Sequence, residues 1–131
     1  MFDYSDESRK LILSMNNLNI FTTLLVYYKK GFIMCIPHSC VCVTARLFWN
    51  NPKDHMLMCF DYTAVFNSLL FTYIHSFTYN KDYYISPLLS CVFYTYFFSM
   101  HFKNINQEQF SIYAHTLTYL IGNIGIILTF S

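Results

Sequence analysis

The side chains best suited to chemistry gather in one stretch: Cys35, His38, Cys40 and Cys42, followed by His55, Met56, Met58 and Cys59. Thiolate, thioether and imidazole are soft ligands that suit zinc or Cu(I), with the methionines favouring copper. The spacing argues against such a site. A C-x4-C-x-C pattern departs from the paired C-x2-C frames of zinc loops, and Ile36, Pro37 and Val41 stand where glycine or polar turn residues are expected. The cysteines therefore read as small hydrophobes in a buried or membrane-near segment, and no metal or other cofactor is expected. An odd set of five cysteines, Cys91 included, is also a weak disulfide framework, which favours a reducing or membrane setting.

His75, His101 and His115 each interrupt an apolar run. An ionisable residue inside a membrane span marks a functional site by default. However, Asp61, Asp82 and Glu108 lie at the edges of the runs, out of reach of a mid-membrane imidazole, so a structural histidine is expected rather than a proton relay. Catalysis finds no support either. The chain has no G-x-S-x-G elbow, no H-E-x-x-H, no glycine-rich phosphate loop, and no carboxylate pair within one apolar segment. Lys29-Lys30 is suited to flanking a span at the lipid headgroups. Gly122 and Gly125 are small residues three apart, a weak invitation to a neighbouring helix. No catalytic, cofactor-binding or metal-ligating residue is assigned, and no enzyme is expected.

The elements that carry these residues are marked out by charge. Only 11% of the 131 residues are charged while 55% are hydrophobic and 21% aromatic, too little polar surface to cover a soluble domain of this length. Eight Lys+Arg against seven Asp+Glu leave no basic excess for a nucleic-acid partner. Low hydrophobicity, which disorder requires, is absent, and three glycines exclude a collagen-like chain. No Asn-x-Ser/Thr sequon occurs, and a signal peptide fits poorly because Asp3, Asp6 and Glu7 stand at its start and Asn16, Asn17 and Asn19 break the apolar stretch.

The expected layout is a polar segment over 1–10, a possible first span or interfacial helix over 11–28, a Cys/His-containing loop over 29–61, and a membrane region over 62–131. Within that region the candidate spans are 62–79, 83–102 and 112–130, the last being the most apolar and 83–102 the second choice. In 11–28, Asn16, Asn19 and Thr23 fall at i, i+3 and i+7, a polar stripe that suits an interfacial helix as well as a spanning one. Pro37 and Arg46 make 31–49 a loop or short re-entrant segment. Four spans would put both termini outside, with the 29–61 loop and most basic residues in the cytoplasm.

The expected fold class is thus all-α, a small multi-pass transmembrane helical protein of three or four spans. A strand reading competes with it. Phe71, Tyr73, His75, Phe77 and Tyr79 alternate with smaller residues, and Asn80-Lys81-Asp82 could turn an aromatic β-hairpin, so the alternatives are an aromatic β-rich fold or no stable fold. The expected function is that of an integral membrane protein with a non-catalytic role, a subunit or assembly partner. Its partners would be the lipid bilayer and other membrane helices, with no small-molecule substrate implied. The alternative is the product of an open reading frame with no evolved function, because thymine-rich codons yield Phe, Tyr, Ile and Leu automatically.

Overall fold

Ser5 accepts a hydrogen bond from the Ser8 N–H and caps a helix whose first turn carries Asp6 and Glu7, charges suited to the positive end of the helix dipole. From that cap the computed structural model, which describes residues 4–131, is helical almost throughout. The helices are α1 Asp6–Lys30, α2 Phe32–Asn50, α3 His55–Thr78, α4 Asp82–Asn104 and α5 Glu108–Phe130. No strand occurs among the described residues, so the alternating aromatics of 71–79 lie on α3 and the hairpin reading falls. Helices win because both faces of the alternation are apolar, leaving no solvated side for a sheet, while a helix satisfies every interior backbone group within itself.

Short turns with special backbone geometry join these helices. Gly31 alone links α1 to α2, at φ 89° and ψ 179°. Asn80 and Asn106 take left-handed φ values of 56° and 59° just beyond α3 and α4. In both places the next residue donates back into the helix, Lys81 N–H to the Ser76 carbonyl and Gln107 N–H to the Phe102 carbonyl, which closes a Schellman cap. Asn80-Lys81-Asp82 is therefore a turn between helices.

The segment expected as a loop over 29–61 instead contains α2, which is long and apolar enough to cross a membrane. Pro37 sits in the second turn, where it withdraws a single bond from the Ile33 carbonyl and the helix continues. Arg46 lies one turn from the C-terminus, exposed, so its head can reach the end of the bundle. The third helix also begins earlier than expected, because Asp54 accepts from the N–H groups of Met56 and Leu57 and caps it. Four helices are long and apolar enough to cross a membrane: α1, α2, α3 and α5. Ranked second from sequence, 83–102 forms α4 and has the length but is not among them, since Tyr83, Tyr84, Tyr94 and Tyr96 dilute its hydrophobicity.

The helices alternate in direction. At one end Ser5 N–H and Ser8 Oγ–H donate to Glu108 Oε1, joining the starts of α1 and α5; at the other Lys81 Nζ donates to the Leu128 and Thr129 carbonyls that end α5. Helix α5 touches α1, α3 and α4, and α2 lies between α1 and α3. Five helices place the termini at opposite ends, unlike the four-span expectation. Helices α3 and α4 splay apart around an open groove of about 310 Å3 lined by Phe66, Leu69, Tyr73, Leu89 and Phe93.

Candidate functional site

Polar side chains share the inside of this bundle with its apolar core. On α1 the buried face is Ile12, Asn16, Asn19, Thr22 and Val26, a three-to-four residue repeat that aims the two asparagines inward. Asn16 Nδ2 donates to the Cys42 carbonyl on α2 at 3.0 Å, and Asn19 Nδ2 donates to Asn16 Oδ1 at 2.8 Å. Asn123 Nδ2 on α5 then donates to Asn19 Oδ1 at 2.7 Å. Thr23 Oγ1 meets Cys42 Sγ at 3.3 Å. The stripe that suited an interfacial helix is thus the seam joining α1 to α2 and α5, where each amide finds a partner that hydrocarbon would not provide.

A second polar group lies beside the first. His38 Nδ1 on α2 is 2.6 Å from Ser68 Oγ on α3, and the Phe71 and Phe130 rings stand edge-on to the imidazole. A cavity of about 20 Å3 separates this pair from the asparagines, lined by Asn19, Thr22, His38, Ser68 and Asn123 with Val41 and Ile126. Sequence reasoning passed over His38 as one of the Cys/His group and did not single out Thr22 or Ser68. Their signal was the phase on each helix, which becomes readable once α2 is known to be a helix.

Towards the N-terminal end, Asp61 is buried on α3 and accepts from Thr44 Oγ1 on α2 at 3.0 Å. Sequence reasoning placed it at a run edge, but the Asp54 cap puts it in the second turn of α3. Tyr4 OH meets Ser111 Oγ at 2.7 Å, and Ser99 and Ser111 exchange hydroxyl-to-carbonyl bonds between α4 and α5. Burial raises the Tyr4 phenol above its ordinary value, which keeps it a neutral hydrogen-bonding group.

The sulfur ligands do not converge. Cys35 is buried and Cys42 half-buried, while Cys40, Cys59 and Cys91 are exposed, and all are free thiols. Helical geometry turns Cys40 to the opposite face from Cys35, and two turns, about 10 Å, separate Cys35 from Cys42. Among the described residues no three His, Cys, Asp or Glu side chains gather as a metal would need. His75 Nδ1–H donates to the Phe71 carbonyl, His115 stands edge-on to Trp49, and His101 is exposed. Gly122 and Gly125 do admit a helix: a Cβ on Gly125 would stand 3.3 Å from Leu89 Cδ2 of α4.

Fold and interior together define a helical bundle that buries hydrogen-bonded polar side chains among its apolar core and exposes many large apolar ones. No protein-family model matches the chain, and neither a curated protein nor a solved structure matches it.

Proposed function

We propose that this chain is a small multi-pass integral membrane protein with a non-catalytic role, a subunit or assembly partner for other membrane helices. One observation carries the reading: polar side chains share the interior with the apolar core, while large apolar side chains cover the outside. Asn16, Asn19, Ser68, Thr72, Ser76 and Asn123 are buried, whereas Phe21, Leu24, Phe32, Ile33, Phe66 and Phe97 face outward. In water so many outward-facing large apolar side chains would be a liability, because soluble monomers rarely expose apolar patches beyond a few hundred Å2. In lipid they cost nothing, and the interior hydrogen bonds hold the helices together where hydrophobic association fails.

The fourth helix belongs with the spans in this reading. It lies against α5, and Thr118 Oγ1–H donates to Thr95 Oγ1 across that contact. Its tyrosines Tyr83 and Tyr84 fall at one end, at the depth where aromatic side chains meet headgroups. Carbonate extraction of a tagged full-length chain tests the proposal. The product is expected in the membrane pellet and to dissolve in mild detergent. Recovery in the carbonate supernatant, or in a detergent-insoluble aggregate, would overturn it.

A further inference from the structure

We infer that the cavity between α1, α2, α3 and α5 is a binding site for a single water molecule, bridging Thr22 Oγ1 to His38 Nε2. The cavity measures about 20 Å3, room for one water and no more. Apolar cavities of this kind stay dry, but five of the seven residues lining this one are polar: Asn19, Thr22, His38, Ser68 and Asn123. Thr22 Oγ1 and His38 Nε2 are the buried side-chain atoms of that lining left without a hydrogen-bond partner. Both residues are almost wholly enclosed, at 1% and 3% exposure.

Thr22 also departs from what the other two fully buried threonines do. Thr72 and Thr129 donate to the carbonyl four residues back on their own helices. Thr22 makes no such bond, so its hydroxyl is left for the cavity. On His38 the Ser68 hydroxyl occupies Nδ1, which leaves Nε2 as the ring's second polar atom. Water both donates and accepts, so it serves either imidazole tautomer. The bridge connects two polar groups that are otherwise separate, Ser68–His38 across α3 and α2 and Asn16–Asn19–Asn123 across α1 and α5. This inference concerns the interior, and its test in lipid rests on the proposed membrane reading, whose failure would show as a chain that does not enter nanodiscs.

Water-edited solid-state NMR of the full chain, labelled with 15N-histidine in phosphatidylcholine nanodiscs, tests the site, with the His38 resonance assigned by its absence from His38→Phe. Water magnetisation is expected to reach His38 Nε2 in the wild type and in Thr22→Ser, which keeps the hydroxyl. In Thr22→Val the transfer is expected to be lost while that to exposed His101 persists. A wild-type His38 that receives no water magnetisation would overturn the inference, and so would undiminished transfer in Thr22→Val. If Thr22→Val does not fold, the wild-type measurement decides alone.

Discussion

Gly31 is the residue on which the α1–α2 turn depends. Its φ of 89° with ψ of 179° belongs to a region that is essentially closed to L-residues. A Cβ there would meet no heavy atom within 4 Å, so any penalty is purely conformational. Gly31→Ala is expected to destabilise the protein by about 1–3 kcal/mol, measured as a lower unfolding temperature in detergent. An unchanged melt would mean that the turn relaxes into another geometry. Asn80 and Asn106 solve the same problem differently, since asparagine tolerates the left-handed region better than other side chains. Asn80 was legible in the sequence as part of a turn, though a hairpin's, whereas the roles of Gly31 and Asn106 were not. A lone Gly between two apolar runs reads equally well as a break in a loop, and only the helix on its far side makes it a turn.

At the scale of elements, apolar run length located α3, α4 and α5, while the asparagine stripe suited an interfacial helix as well as a span, and only the packing turns it into the inward face of α1. Helix α2 was misread because Pro37 was given the weight it has in water, where it costs an interior helix about 3 kcal/mol. Near a helix start, with a single bond lost, that weight is too large. The candidate site suffered for the same reason: Thr22, His38 and Ser68 come together only when α2 is a helix between α1 and α3. Isolated segments in a glycosylation-reporter insertion assay should show the difference. Residues 108–130 and 32–50 are expected to insert alone, while 6–30 is not, because Asn16 and Asn19 then lack the Cys42 and Asn123 partners. Equal insertion of 6–30 and 108–130 would show that those bonds contribute little.

For the whole molecule, five alternating helices redistribute the basic residues. Arg9, Lys10, Arg46, Lys53 and Lys103 lie at the N-terminal end, against Lys29, Lys30 and Lys81 at the other, five against three of the eight. Four spans had assigned Arg46, Lys53 and Lys103 to the opposite side, and α2 reverses that. Under the positive-inside rule the N-terminus is expected in the cytoplasm and the C-terminus across the membrane. Terminal epitope tags in a protease-protection assay should therefore differ in accessibility. Both tags on one side would reject five passes.

The bond between Asn123 and Asn19 spans 104 residues of chain. A ribosome adding about 5–20 residues per second makes α1 wait on the order of ten seconds for that partner. During that interval α2 is the nearest source of company, and its Cys42 carbonyl already takes one Asn16 proton. Assembly is thereby expected to be ordered in time, with the α1–α2 hairpin forming before α5 emerges to complete the seam.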